Sequence, residues 1–141
     1  MFVNNSFGKT VDVLHRTMDV ALLRRSVLAD NVANADTPNF KKSRINFESE
    51  LKRAFDSEGR AASSRFEAAL TNSRHIPFNR VYDYQDVGPR RVLDYLSTTD
   101  NNGNNVDIEE ESMLLLENQL SYDLMSRVVS NQFNQVNLVL R

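Results

Sequence analysis

Apolar residues recur every three or four positions in two long segments at the ends of the chain, about 6–35 and 107–140. This spacing is typical of helices that bury one face. The residues between the two segments are more polar and follow no single period. The pattern predicts a mainly α protein in which long N- and C-terminal helices pack as a coiled-coil-like pair. The irregular middle region is expected to contain short helices or a small β element.

The first segment carries an apolar seam at the alternating spacing of a coiled coil, interrupted only by Arg25. Its members are Phe7, Val11, Leu14, Met18, Ala21, Leu28, Val32 and Ala35. A second stripe on a neighbouring face consists of Val13, Val20 and Val27, and two stripes predict two packing partners. The helix is expected to end before Pro38, because proline disfavours the helical conformation at Thr37.

The last segment begins at Asp107, an N-cap candidate, with Glu110 at the spacing of a capping box. Its seam consists of Ile108, Leu115, Tyr122, Val129 and Val136, extended by Phe133 and Leu140. A second apolar stripe consists of Met113, Leu116, Leu120, Leu124 and Val128. Beyond Arg127 the helix carries amides in place of charges, which is typical of a helix packed on several sides.

The middle of the chain is predicted in less detail. Apolar spacing around 47–55 indicates a short helix, and 64–70 is expected to form another turn or two. The alternation over 81–84 resembles a strand, while 56–64 and 98–105 are typical of loops. The chain is therefore divided into an N-terminal helix with its turn (1–40), a variable middle (41–105) and a C-terminal helix (106–141).

Composition excludes several classes of function. The 141 residues carry a formal net charge of −2 and no cysteine, so general attraction to nucleic acid, disulfides and thiol chemistry are not expected. No apolar run is long enough to span a membrane, and the first residues do not resemble a cleaved signal peptide. Basic residues prevail in 1–44, with seven Lys/Arg against four Asp/Glu, and acidic residues prevail in 101–141. This asymmetry favours pairing of the two ends.

No group of residues points to catalysis, a cofactor or a bound metal. The two histidines, His15 and His75, have no second ligand at metal spacing. Matching 98–109 to a calcium loop places unsuitable residues at the ligand positions, although Gly103 and Glu109 fit. Lys41–Arg44 is a short basic run typical of a solvated turn. The sequence therefore predicts a protein that is not an enzyme.

The string Asp30-Asn31-Val32-Ala33-Asn34-Ala35-Asp36-Thr37-Pro38-Asn39-Phe40-Lys41 resembles the N-terminal signature of the flagellar axial proteins, close to S-x-N-I-A-N-x-N-T-P-G-Y-K. It departs from that form at Asp36, Asn39 and Phe40, and Asn39 can replace glycine because asparagine also accepts a left-handed backbone. Gly103–Glu111 and Glu117–Tyr122 strengthen the resemblance, which covers both ends of the chain in the expected order.

The resemblance implies a structural subunit of the proximal rod of the bacterial flagellar basal body. The terminal helices would pack into the inner tube of a helical assembly that transmits torque. Its partners would be further copies, other rod proteins, the base of the basal body (MS ring or rod adaptor) and the export apparatus. It would reach the periplasmic rod without a cleaved signal. The alternatives are a sister proximal-rod protein, or a soluble helical adaptor or export chaperone.

The residues expected at subunit interfaces come from both seams and from the signature. Asn31 and Asn34 are expected to hold the register through hydrogen bonds, and Pro38 to fix the end of the helix. The full set is Phe7, Val11, Leu14, Met18, Leu28, Asn31, Val32, Asn34, Pro38, Ile108, Leu115, Tyr122, Val129, Phe133, Val136 and Leu140.

Overall fold

A computed structural model describes residues 5–63, 71–76, 81–97 and 101–140. The elements follow one another as α1 (Ser6–Ala33), β1 (Ser43–Asn46), α2 (Glu48–Ser63), a 3-10 turn (Tyr84–Asp86), β2 (Arg90–Leu93) and α3 (Ile108–Val139). The expected mainly α fold with two long terminal helices and a small β element is confirmed.

The chain forms two compact units. The first combines Met1–Ile45 with Arg91–Arg141 and therefore contains both long helices. The second, Asn46–Arg90, contains α2 and the 3-10 turn. Residues that are far apart in sequence thus share the first unit, whereas the second is a continuous segment.

The helices α1 and α3 pack along each other as an antiparallel pair. The Asn31 side chain meets Glu111, and the Asn118 amide donates to the carbonyl of Ala21 at 2.9 Å. Further along, the rings of Phe7 and Phe133 stack edge to face, with centroids 6.3 Å apart. Residue numbers fall on α1 as they rise on α3, which fixes the antiparallel direction. With a rise of about 1.5 Å per residue, α1 is about 42 Å long.

The ends of these helices follow local rules. In α1 the C-cap is Asn34, four residues before Pro38, as the backbone restriction of proline predicts. In α3 the Asp107 carboxylate accepts hydrogen bonds from the amides of Glu109 and Glu110. The capping box is only half formed, because the Glu110 carboxylate binds Lys42 and Arg44.

The helix predicted around 47–55 is present but is longer than expected. It runs as α2 to Ser63, so the prediction of a loop over 56–64 was wrong. Two acidic residues, Glu48 and Glu50, lie in its first turn, where the helix dipole favours negative charge. Gly59 is accommodated at a cost of about 1 kcal/mol relative to alanine.

The prediction of a strand over 81–84 was also wrong. Tyr84 begins a 3-10 turn, and the Asp83 carboxylate accepts a hydrogen bond from the amide of Gln85 at 2.9 Å. Such a local bond stabilises a turn at the expense of an extended backbone. The Tyr84 ring instead packs on Phe55, with ring centroids 5.7 Å apart. The predicted turn at 64–70 lies outside the described residues.

The small β element consists of β1 paired with β2. The amide of Asp94 donates to the carbonyl of Lys42 at 3.0 Å, just beyond the two strands, as expected of an antiparallel pair. Within the first unit the buried apolar core includes Val20, Ala21, Val27, Leu28 and Ile45. Among the described helices, none has the length and apolar character to cross a membrane.

Candidate assembly interface

Five polar residues are buried where the end of α1 meets β1 and the start of α3. They form what is here named the polar clasp: Asn31, Ser43, Asn104, Asn105 and Glu111. Asn31 lies at its centre with no exposed surface. Its amide nitrogen donates to the Ser43 carbonyl and to Glu111 Oε2, both at 2.9 Å, and its Oδ1 accepts from the Ser43 amide at 3.1 Å. One side chain therefore joins three elements.

Glu111 brings a fully buried carboxylate to the polar clasp. The guanidinium of Arg44 lies 3.2 Å from its Oε1 as an ion pair, although the two groups are not aligned for a hydrogen bond. Since an isolated buried charge is costly, Arg44 and Asn31 together allow Glu111 to occupy this position.

Asn104 binds the end of α1. Its amide nitrogen lies within hydrogen-bond distance of the carbonyls of Asn34, Ala35 and Thr37, at 3.0, 2.6 and 2.9 Å. These carbonyls belong to the C-cap and to the turn that follows α1, so Asn104 fixes this turn from 67–70 residues away in sequence. Its Oδ1 accepts from the amide of Val106 at 2.8 Å, which fixes the approach to α3.

Asn105 ties both strands to the same region. Its Oδ1 accepts from the Lys42 amide at 2.6 Å, and its amide nitrogen donates to the Asp94 carbonyl at 2.8 Å. The same nitrogen donates to the Ser97 hydroxyl at 3.1 Å. Two adjacent asparagines thus hold the turn after α1 and the turn after β2.

The two turns on either side of the polar clasp approach each other closely. Asn39 has a φ of 60°, the left-handed conformation expected from its place in the signature, and its amide donates to the Asn102 carbonyl at 3.1 Å. Gly103 has a φ of 79°. A Cβ atom added to Gly103 would lie 2.7 Å from Asn39 Oδ1, the end of a side chain, so the left-handed backbone is the main reason for glycine here.

Gly103→Ala is expected to lower the free energy of unfolding by about 1–3 kcal/mol, because the left-handed backbone and the contact with Asn39 both oppose a Cβ atom. Gly88→Ala is the matched control, since its Cβ would meet nothing within 4 Å and its φ is not positive. Urea unfolding of both purified variants, followed by circular dichroism, measures the difference. Equal midpoints would contradict the requirement.

The basic run after the signature does not form the solvated turn expected from the sequence. Lys42 Nζ lies 3.0 Å from Glu110 Oε2, and Arg44 Nη2 lies 2.8 Å from Glu110 Oε1. The hydrogen bond from Lys42, with the charge of Arg44, lowers the pKa of the Glu110 carboxyl below its ordinary value of 4.5. These pairs realise the attraction between the basic N-terminal and acidic C-terminal segments.

The lowered pKa of Glu110 predicts a pH dependence of stability. The ionised carboxylate stabilises the folded state above the ordinary pKa of 4.5, and this contribution is lost as the pH falls below that value through the folded-state pKa. Glu110→Gln should therefore lower stability at neutral pH and have less effect in acid. Parallel urea titrations of the two proteins test this, and a difference that does not shrink in acid would contradict it.

The helix α3 carries apolar residues on two opposite faces. The face that bears Glu111 and Asn118 meets α1. On the opposite side lies what is here named the outer face: Met113, Leu116, Leu120, Leu124 and Val128. Its first four residues are 59–73 % exposed. Large exposed apolar stripes typically mark contact sites for other molecules.

An apolar groove lies at the end of the helix pair opposite the polar clasp. Its volume is about 430 Å³, and it is lined by Phe7, Gly8, Val11, Asp12, His15, Phe133 and Val136. The groove is therefore formed by the first turns of α1 and the last turns of α3. Its size is within the range of about 300–1,000 Å³ found for ligand pockets.

Most of the predicted seam residues are partly or fully buried within the single chain. The half-buried members are Phe7, Val11, Leu14, Met18, Val32, Leu115, Tyr122, Val129 and Val136. Leu28 and Asn31 are buried. The members with large exposed areas are Pro38, Ile108, Phe133 and Leu140. Val20 and Val27, from the second α1 stripe, are buried within the chain.

The two signature asparagines differ in what they bind. Asn31 belongs to the polar clasp. The side-chain nitrogen Nδ2 of Asn34 instead donates to the Asp30 carbonyl of its own helix at 2.8 Å. The side-chain oxygen Oδ1 of Asn34 accepts a hydrogen bond from the Thr37 hydroxyl at 3.3 Å. Within one chain, Asn31 therefore fixes tertiary contacts and Asn34 fixes the local turn.

Sequence reasoning assigned no role to Asn104, Asn105, Glu111 or Asn118, all of which are buried. Glu111 looked like one member of an acidic first turn, and the asparagines looked like turn residues. Adjacent asparagines two and three residues before the N-cap of α3, together with an amide-rich signature, were the available signal. Their partners lie about 63–97 positions away, a distance that no local pattern reveals.

The sequence of the chain is similar to that of known flagellar rod proteins. The sequence profile described as "Flagella basal body rod protein" matches residues 14–41, which include most of α1 and the signature turn. The flagellar basal body rod protein FlgB of Borreliella burgdorferi is 46% identical over 137 residues, covering 97% of this chain and 99% of the relative.

More distant relatives carry the same description. FlgB of Bacillus subtilis is 31% identical over 134 residues, covering 95% of each chain. FlgB of Escherichia coli is 34% identical over 118 residues, covering 84% of this chain and 83% of the relative. The similarity thus extends well beyond the signature to both long helices and the segment between them, and the chain belongs to the FlgB family of flagellar basal body rod proteins, as a structural subunit of the rod.

Proposed function

We propose that this subunit builds the proximal part of the rod, where copies assemble helically into a shaft that transmits motor torque. The observation that carries the proposal is the second apolar face of α3. One face is covered by α1 of the same chain, and the outer face is left for neighbouring subunits. At about 25 cal/mol per Å² of buried apolar surface, such a contact repeated in every subunit stabilises a stiff tube.

The terminal segments 1–40 and 106–141 supply the axial part of this assembly, and 41–105 supplies the variable part. The predicted interface set takes part in two ways. Its half-buried members belong to the rigid helix pair, and its exposed members contact neighbours together with the outer face. A rigid subunit is what a torque-bearing shaft requires, because packed interiors transmit strain with little deformation.

The partners of the subunit are further copies, other rod proteins, the base of the basal body and the export apparatus. The subunit acts mechanically and not as an enzyme, in agreement with the structural names of its relatives. It reaches the periplasmic rod through the flagellar export apparatus without loss of an N-terminal signal. The similarity to FlgB proteins does not favour the sister proximal-rod protein (FlgC-like) or a soluble adaptor or chaperone.

Basal bodies isolated from cells that carry an epitope-tagged chain test the proposal. The tag should be found in the rod next to the basal-body base in a density map, and mass spectrometry should recover the unprocessed N-terminal peptide. Recovery of the chain only in soluble complexes with export components would support the adaptor or chaperone alternative instead. Location in the distal rod would contradict the proximal assignment.

A further inference from the structure

The turn before α3 contains the pair Asn102-Gly103, the one place in the chain where glycine directly follows asparagine. The Asn102 side chain is exposed, and its Oδ1 accepts a hydrogen bond from the backbone amide of Asn104 at 2.9 Å. The side-chain amide is therefore accessible to water and lies folded back towards the backbone that follows it. These two properties make Asn102 a candidate for a chemical reaction within the chain.

An asparagine side chain can react with the backbone nitrogen of the next residue. The nitrogen loses its proton to water or hydroxide and attacks the side-chain carbon Cγ, and the new N–Cγ bond closes a five-membered succinimide ring. The Cγ–Nδ2 bond breaks, and Nδ2 takes up a proton and leaves as ammonia. Water then opens the ring at one of its two carbonyl carbons, which gives aspartate or isoaspartate. One water is consumed for each ammonia released, and nothing is oxidised or reduced.

Three features of this turn favour the reaction. Gly103 has no Cβ atom, so no side chain hinders the approach of its nitrogen to Cγ. The attacking nitrogen and the carbon that it attacks belong to adjacent residues, which removes the entropy cost of bringing two reactants together. The Asn104 amide donates to Asn102 Oδ1, the oxygen on which negative charge develops during the attack, and a hydrogen bond there stabilises the transition state.

Asn72 provides a comparison within the same chain. It is also exposed, and its Oδ1 accepts a hydrogen bond from the backbone amide of Arg74 at 3.0 Å, which is the arrangement found at Asn102. The residue that follows it is Ser73, whose side chain crowds the approach of the backbone nitrogen. The two asparagines thus share exposure and the hydrogen bond to Oδ1, and they differ in the glycine.

Conversion of Asn102 would disturb the contacts that its backbone makes. The Asn102 carbonyl accepts from the Asn39 amide at 3.1 Å. The next carbonyl, that of Gly103, accepts from Lys41 Nζ at 2.8 Å. In isoaspartate the chain runs through the side chain, so the backbone gains one methylene and the former carbonyl becomes a carboxylate. Asn104, which holds the turn after α1, follows directly, so the added length displaces it from the carbonyls that it binds.

We propose that Asn102 is a modification site, where attack by the Gly103 nitrogen converts the side-chain amide to aspartate or isoaspartate and loosens the polar clasp. Water is the only other reactant. The reaction adds one negative charge to a chain whose formal net charge is −2, and it accumulates with the age of the protein. This inference goes beyond the proposed function and does not depend on it, because it concerns the chemistry of the single chain.

Peptide mapping of the purified, folded chain tests the reaction. The protein is incubated in mildly alkaline buffer, where more of the backbone nitrogen is deprotonated, and a portion kept in mildly acid buffer serves as the control for digestion. The peptide that contains Asn102 should gain about 1 Da, and an isoaspartyl methyltransferase should label it. Fragmentation in the mass spectrometer should place the gain at Asn102. The Asn72 peptide should change several-fold more slowly, and equal rates or an unchanged Asn102 would overturn the proposal.

Urea unfolding tests the effect on the polar clasp. Chain in which Asn102 has reacted should unfold at a lower urea concentration than fresh chain. Asn102→Gln is the matched variant, because it keeps a side-chain amide but would have to close a less favourable six-membered ring. Its midpoint should be the same before and after incubation. An unchanged midpoint in the reacted chain, or an equal fall in the variant, would overturn the loosening of the polar clasp.

The two measurements remain informative if the variant does not fold. The comparison of Asn102 with Asn72 uses the unchanged sequence, and so does the comparison of fresh with reacted chain. Reacted and unreacted molecules differ by one charge and can be separated by ion exchange before unfolding. Coincident unfolding curves of the two separated forms would contradict the loosening without any substitution.

Discussion

Replacement of Asn31 by leucine is expected to lower the free energy of unfolding by about 3–5 kcal/mol. The change removes the side-chain partner of the Ser43 amide, the Ser43 carbonyl and Glu111 Oε2 at once. These groups are buried, so water cannot replace the lost bonds without opening the structure. A loss of this size is a large part of the roughly 5–15 kcal/mol that stabilises a typical domain.

Asn34→Leu provides the matched control for this prediction. Among the residues that the structure describes, the Asn34 side chain bonds only within its own turn, to Asp30 and Thr37, and these bonds are exposed. Its loss should cost about 1 kcal/mol or less. Urea unfolding of the purified chains measures both values. Equal losses from the two variants would show that the polar clasp does not hold the helices together as the structure indicates.

Leu120→Asp is expected to abolish swimming while leaving the isolated subunit folded. Leu120 lies on the outer face of α3 and is 61% exposed in the single chain, so the substitution should change the free energy of unfolding by about 0.5 kcal/mol or less. In the assembled rod the carboxylate would be buried against a neighbour without a partner, which is costly. Soft-agar motility and circular dichroism report the two effects separately.

Two further variants serve as controls for Leu120→Asp. Leu120→Met keeps an apolar side chain of similar volume and should support swimming. Ser121→Asp introduces the same charge at an exposed position next to, but outside, the outer face, and should be tolerated better than Leu120→Asp. Normal swimming by Leu120→Asp would show that the outer face remains open to solvent in the rod.

Local sequence patterns predicted the long helices because helix formation depends on residues within a few turns of each other, and the spacing of apolar residues shows over that range. The 3–4 repeat located α1 and α3 closely, Pro38 marked the end of α1, and Asp107 was correctly identified as the N-cap of α3. The left-handed backbone of Asn39 also followed from its place in the signature. The prediction of a loop failed at 56–64, a polar segment that α2 includes up to Ser63. The prediction of a strand failed at 81–84, where the alternation is short and a local hydrogen bond from Gln85 to Asp83 forms a turn instead.

The sequence also located two apolar stripes on α3 without distinguishing their partners. Both stripes have the same local character, and only the position of α1 makes one of them internal and leaves the outer face exposed. Most residues of the predicted seam are therefore at least half-buried within the single chain. Whether an apolar stripe is covered by its own chain depends on how distant segments meet, which periodicity along one helix does not encode.

What the sequence by itself determined is the mainly α character, the ends of the two long helices and, through the signature, the membership in a rod protein family. The tertiary structure alone decided the role of Glu111, which is an ordinary acidic residue in a first helical turn until Asn31 and Arg44 are placed beside it. The physical reason is that helix formation depends on neighbouring residues. The stability of a buried carboxylate instead depends on partners that only the folded chain brings within hydrogen-bonding distance.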